Sequence, residues 1–320
     1  VSAAEPTGAG AHPPGDGTEP RAVRAELACV VLAHDQPAQL HRLVAALDPL
    51  PVLLHVDART PDDVHRAMVE GLPDRVHLVP RVGTAWATFG AVEAELRAFR
   101  LAIDETSATH VVSLSGSDYP LVSVADLLDV LDGLPRTSVT FTQALPIPQW
   151  GMGGGFGRLR YYHWAWRRHV VRLPVPRRLP RGLVPAGGPV QKILARHHVE
   201  AVLAAVEARP ELARFWRRAW APDETFVATI LASPSLVPDY GERHMHALPW
   251  LIDWRRKGIK GPPWLTRDEH AQFLRDAHVR PAEGKLPALF ARKFHETRSN
   301  DLLALVEELR ATALRDPEAS

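Results

Sequence analysis

A single cysteine, Cys29, leaves the chain unable to form an internal disulfide, so a small scaffold stapled by such bonds is excluded. No apolar run approaches the roughly 18–20 residues needed to cross a bilayer. The first residues also lack the charged-then-apolar pattern of a secretion signal, and the expected location is the cytoplasm. Charge of one sign is missing as well. The 38 Lys plus Arg residues against 37 Asp plus Glu give a net charge of +1, and no whole-molecule field invites nucleic acid. Neither G-x-G-x-x-G nor G-x-x-x-x-G-K-[ST] follows the first apolar run, which removes the main support for Rossmann dinucleotide or P-loop phosphate binding.

What is present is enough apolar material, 46% of 320 residues, for one large domain or two closely packed halves. Residues 1–24 are rich in Ala, Gly, Pro, Glu and Thr and carry almost no large apolar side chains, so they read as a flexible tail. Ala28–Ala33 is a continuous apolar run. Leu40, Leu43, Val44 and Leu47 then recur at helical spacing, and Val52–Val56 forms a second run. This is a βαβ unit. Further strands are expected at Val76–Val79 and His110–Leu114, with a helix carrying Phe89, Val92, Leu96 and Phe99 between them. Continuous rather than alternating hydrophobicity implies strands covered on both faces, hence an α/β fold with a mostly parallel sheet flanked by helices.

In open α/β sheets ligands bind beyond the carboxyl ends of the strands, where His34, Asp57, Arg59 and Asp118 fall. Each also has an ordinary structural reading, as a strand cap, a surface pair or a turn former. Farther along, Pro222-Asp223-Glu224 precedes Phe226, Val227, Ile230 and Leu231, which predicts a helix opening on two acids. The acids either complement the helix dipole or supply a catalytic base.

Taken in order, Leu32-Ala33-His34, Leu54 to Arg59, Trp86 to Glu95, Leu114 to Pro120, Pro222-Asp223-Glu224 and Leu289 to Phe294 resemble the core-2/I-branching β-N-acetylglucosaminyltransferase and peptide O-xylosyltransferase family. The resemblance implies a GT-A-type glycosyltransferase fold, with residues 25–145 as the nucleotide-sugar half and 146–320 as the acceptor-binding and catalytic half. It also implies an inverting enzyme that uses a UDP-sugar as substrate, needs no divalent metal and has no other cofactor. The sequence agrees on one point independently. It contains no Asp-x-Asp triplet of the kind that holds a metal against a diphosphate.

By that resemblance Glu224 is the base, and Arg256 and Lys293 meet the diphosphate, with Arg255 able to exchange roles with Arg256. His34, Asp57 and Arg59 would contact uracil and ribose, and Asp118 would lie near the donor sugar. Trp86 is expected to pack. The donor sugar is expected to be N-acetylglucosamine, with xylose as the alternative; a non-catalytic sugar-binding protein is the rival class.

On the acceptor side, the stretch from Gln149 to Gly188 holds eight arginines between Arg158 and Arg181 together with Trp150, Tyr161, Tyr162 and Trp164. Aromatic faces suit sugars or rings, and arginines suit a carboxylate or phosphate. Where relatives carry an aromatic-rich approach to the helix before the base, this chain reads Gly187-Gly188-Pro189-Val190-Gln191-Lys192. A small-molecule or carrier-bound acceptor is therefore expected. His197, His198 and Glu200 are assigned to a helix surface, since no third metal ligand is evident, and a final helix is expected from Asn300 to Ala313.

Overall fold

The computed structural model describes residues 24–166, 169–255, 261–279, 281–312 and 314; the expected tail, up to residue 23, lies outside them. The apolar runs become strands β1 (Leu27–Ala33), β2 (Val52–Val56), β3 (Val76–Leu78) and β4 (His110–Ser115), all mutually parallel through the pairs β4-β1, β1-β2 and β2-β3. Beyond β4 the sheet continues through Lys192–Ala195, Ser138–Thr140 and His244–His246. Only Lys192–Ala195 runs against the other strands of this seven-stranded sheet.

Alternate side chains of β1 feed two cores. Leu27, Cys29 and Val31 pack with α1 (Pro37–Ala46), while Ala28 and Val30 pack with α3 (Gly90–Glu105). This period-two division explains why every one of those five residues is at most 1% exposed. The first core also takes Leu302, Leu305 and Val306 from the last helix, Asn300–Arg310, and the second takes Phe226 and Ile230. The last helix therefore ends short of the expected Ala313, which lies outside the described residues.

Both halves of the chain share this scaffold. Lys192–Ala195 pairs with β4, and Phe290–Arg292 pairs with Asp118–Pro120 in a separate three-stranded sheet completed by Trp250–Ile252. The Gly187-to-Lys192 stretch leads into a strand before it reaches the helix Arg196–Ala208. Tyr161–Trp166 and His169–Pro176 form a separate antiparallel hairpin. Among the described residues no helix is long and apolar enough to cross a membrane.

Candidate active site at the carboxyl edge of the sheet

Pro222–Glu224 is not the first turn of the expected helix. It is a separate 3-10 turn entered through Ala221 at φ 46°, and the α-helix starts only at Phe226. Thr225 makes the break: its Oγ1 accepts a 3.0 Å bond from Trp216 Nε1. Phe226, fully buried with its ring edge-on to Phe89 and Trp216, anchors the following helix. The acids thus gain little from a helix dipole, and a capping role loses its geometric basis.

Glu224 instead pairs with Arg158. The Arg158 guanidinium lies 3.8 Å from the Trp150 ring centroid and 4.8 Å from that of Trp220, so two indoles hold the cation that holds the carboxylate. Trp150 is itself clamped. A Cβ added at Gly187 would come within 2.5 Å of its ring, and one at Gly155 within 2.7 Å. At Gly188 the obstacle is the Phe141 carbonyl oxygen, also at 2.5 Å. The glycines between 187 and 188 are therefore demanded by close approach, and Gly188 N–H donates to the Glu224 carbonyl at 2.9 Å. Trp150, expected to touch an acceptor, is placed to support Arg158.

Asp223 turns the other way. With Leu32, Glu95, Ser115, Val190 and Gln191 it lines a cavity of about 130 Å³ at the carboxyl ends of β1 and β4. Its Oδ1 is buried without a hydrogen-bond partner. Burial and the neighbouring Glu224 charge push the Asp223 carboxyl up to about 6. Behind it Glu95 accepts from Lys192 Nζ at 2.6 Å and from Ser113 Oγ at 2.7 Å, a buried ion pair between side chains only 8% and 6% exposed.

The remaining predicted residues divide. Asp57 accepts from Arg59 N, Nε and Nη2 and from Thr84 N and Oγ1; burial alone would raise its pKa, but these bonds hold it well below the usual carboxylate range. Thr60 Oγ1 donates to the His34 carbonyl at 2.8 Å, which ties the ends of β1 and β2 together and leaves the His34 side chain 71% exposed. Trp86, expected to pack, is 65% exposed on the loop that carries Thr84. Packing fails because Phe89 and Val92, not Trp86, fill the core at the start of α3.

Asp118 is wholly buried, accepts from Ser115 N at 2.7 Å and lies 3.5 Å from Arg292 Nη1, so it holds the Arg292–Lys293 segment and presents no face to a ligand here. Burial pushes its carboxyl up, and Arg292 and Lys293 oppose that. Lys293 Nζ sits 4.1 Å from the Trp264 ring centroid; burial and Arg292 lower its pKa, while Asp35 and Asp118 raise it. Arg255 is engaged by Asp253 through N and Nε at 2.9 Å and Nη2 at 3.1 Å, and it stacks over Phe273. Arg256 lies outside the described residues.

The hairpin aromatics stand apart from this edge. Tyr162 stacks on Trp164 with centroids 5.9 Å apart, Arg177 lies over Tyr162, and Arg172 lies over Tyr161. Trp164 joins Arg214, Arg217, Arg218 and Phe89 in lining a second cavity of about 570 Å³.

One assignment is overturned. His198 is fully buried rather than on a helix surface, and Asp239 is a third ligand-type residue that sequence spacing could not reveal. Asp239 Oδ2 lies 3.1 Å from His197 Nε2 and Oδ1 lies 3.4 Å from His198 Nε2, while His198 Nδ1 meets Ser138 Oγ at 2.7 Å. Burial drives His198 down to about 4. This cluster is at the opposite edge of the sheet, where Ala195 pairs with the first residue of β4.

The sequence profile of the Core-2/I-Branching enzyme family matches residues 52–273, more than half of the chain. The chain belongs to this family. As a branching-enzyme family member it is a glycosyltransferase, with a nucleotide-sugar donor and an acceptor. The matched span includes Asp57, Asp118, Arg158 and Glu224 and excludes His34 and Lys293. No curated protein matches the chain in sequence. Among solved structures, HddC from Yersinia pseudotuberculosis is 10% identical over 55% of this chain and 79% of its own, with a TM-score of 0.29. A putative glucose-1-phosphate thymidylyltransferase from Bacillus anthracis, solved with a sucrose, is 10% identical over 66% of this chain and 94% of its own, with a TM-score of 0.28. Both likenesses are too faint to carry an argument.

Proposed function

We propose that this glycosyltransferase moves a sugar from UDP to a hydroxyl or amine of a small-molecule or carrier-bound acceptor, with inversion and without a divalent metal. N-acetylglucosamine is the sugar proposed. The observation that carries the reading is Glu224, gripped by an indole-flanked arginine on a tight turn beside the carboxyl ends of β1 and β4. In one displacement the acceptor oxygen or nitrogen attacks the anomeric carbon as the bond to UDP breaks, its proton passes to Glu224, and UDP leaves with the electron pair. Negative charge grows on the diphosphate, so cations fixed near it stabilise the transition state more than the ground state.

Lys293 supplies one such cation, and Arg256 is assigned as the second. Arg255 is the weaker claimant because Asp253 already neutralises it. Arg158 orients the base and gives way, at least in part, when the acceptor reaches Glu224. Asp57 and Arg59, with the exposed His34, are assigned to the nucleoside, and the basic cavity at Trp164 and Arg218 to the acceptor.

Glu224→Gln tests the base. Transfer is expected to fall about 10²–10⁴-fold with UDP affinity kept. Unimpaired turnover by the variant removes Glu224 from the role. Thermal shifts across UDP-, GDP- and dTDP-sugars, measured with and without chelator, test donor and metal together: stabilisation by UDP-sugars alone is expected in both, and a shift that disappears with chelator overturns the metal-free reading.

A further inference from the structure

We infer that the 130 Å³ cavity at the carboxyl ends of β1 and β4 receives the donor's sugar ring, and that Asp223, not Glu224, is the carboxylate that recognises the ring's hydroxyl groups. The inference rests on the donor reading above. Its own support is the cavity's construction.

Leu32, Ala91, Leu114 and Val190 give the cavity apolar walls suited to the C–H face of a pyranose. Among the polar residues of this lining Asp223 is short of partners: its Oδ1 is buried and accepts no hydrogen bond. A native protein rarely leaves such atoms orphaned, because each costs the desolvation of a polar group. The room available is about tenfold beyond the ~10–15 Å³ that one water needs. A ring bearing several hydroxyls supplies donors to the carboxylate.

The charge pattern narrows the sugar further. Glu95 is neutralised by Lys192 at 2.6 Å, so Asp223 is the carboxylate of this lining without a cation in contact. A negatively charged lining rejects a sugar that carries its own carboxylate, since like charges in a desolvated site repel strongly. The pocket therefore selects a neutral sugar and excludes a uronic acid. Asp223 acts on binding of the ring, and Glu224 on the proton.

Calorimetry on the full chain, with chelator present, separates the possibilities using UDP, UDP-N-acetylglucosamine, UDP-xylose and UDP-glucuronate. Wild type is expected to bind at least one neutral UDP-sugar more tightly than UDP-glucuronate by tenfold or more. In Asp223→Asn that preference should shrink several-fold and neutral-sugar affinity should fall about tenfold, while UDP affinity stays within twofold. Ala91→Leu, which narrows the cavity without touching charge, should weaken neutral-sugar binding and leave UDP unchanged; it decides the matter if the Asp223 variant fails to fold. Equal losses for UDP and UDP-sugars, or no sugar-dependent loss in a folded variant, overturn the pocket assignment alone. A wild type that binds no UDP overturns the donor reading, and the pocket assignment with it.

Discussion

The two edges of the central sheet gather different side chains. At the amino edge His110, His197 and His198 gather beside Arg136 and Arg196, and burial holds all three imidazoles below their usual pKa. At the carboxyl edge are Asp57, Asp223 and Glu224, and Asp223 lines a cavity there with one buried oxygen left without a partner. Two exposed aromatics lie at the carboxyl edge: Phe141 directly follows the strand that ends at Thr140, and Trp86 lies on the loop beyond β3. The amino-edge cavity measures about 260 Å³ and the one beside Asp223 about 130 Å³, while the loop beyond β3 lines one of about 570 Å³. Strand direction marks the carboxyl edge as the site.

The largest expected effect on stability strikes the support of the carboxyl edge. Glu95 and Lys192 form a buried pair, and removing one partner strands the other charge. Lys192→Met should lower unfolding free energy by about 3–5 kcal/mol, read by urea denaturation, whereas Glu95→Gln with Lys192→Met should recover much of the loss. Additive losses in the double variant would show that the pair supports nothing at this edge.

The next effect turns the comparison into opposite slopes with pH. His198 has a folded pKa of about 4, below its ordinary 6.5, so its contribution is full above 6.5 and is lost as pH falls toward 4. Asp223 has a folded pKa of about 6, above its ordinary 3.8, so its contribution is full below 3.8 and is lost as pH rises toward 6. Between about pH 4 and 6 the two slopes oppose each other, each at most about 1.4 kcal/mol per pH unit. The His198→Gln variant should therefore differ from wild type by a gap that narrows on acidification, and Asp223→Asn by a gain that grows as pH rises through this window. Parallel stability curves for either variant would remove that group from its edge's account.

Much of the scaffold was legible because strands buried on both faces must be apolar throughout, as Val52–Val56 and Ala28–Ala33 are. The site was legible only in part. Pro222-Asp223-Glu224 and the family resemblance single out Glu224 as the proposed base, but its partner Arg158 lies 66 residues away, and Lys192 lies 97 residues from Glu95. Pairings over such distances leave no periodic trace in sequence. The expected acceptor contact of Trp150 gave way to packing for a similar reason, because Gly155 and Gly187 meet on its ring only in the folded chain. Asp239 escaped notice beside His197 and His198 because adjacent helical residues point in different directions and hide a shared partner.

The smallest effect concerns the exposed indole at the carboxyl edge. Trp86 adds nothing to the core, being 65% exposed, yet its loop is pinned by the 2.7 Å bond from Thr84 Oγ1 to Asp57 and the 2.6 Å bond from Thr88 Oγ1 to the Ala85 carbonyl. A loop pinned to Asp57 through Thr84 that carries an exposed indole suits a flat ring, and base-on-aromatic stacking is worth about 1–3 kcal/mol. Trp86→Ala should weaken UDP binding by about tenfold in calorimetry, Trp86→Phe by less, and neither should move the melting temperature appreciably. A melting temperature that falls with unchanged UDP affinity would give Trp86 the packing role that its composition first implied, and would make the carboxyl edge less open than its exposed aromatics indicate.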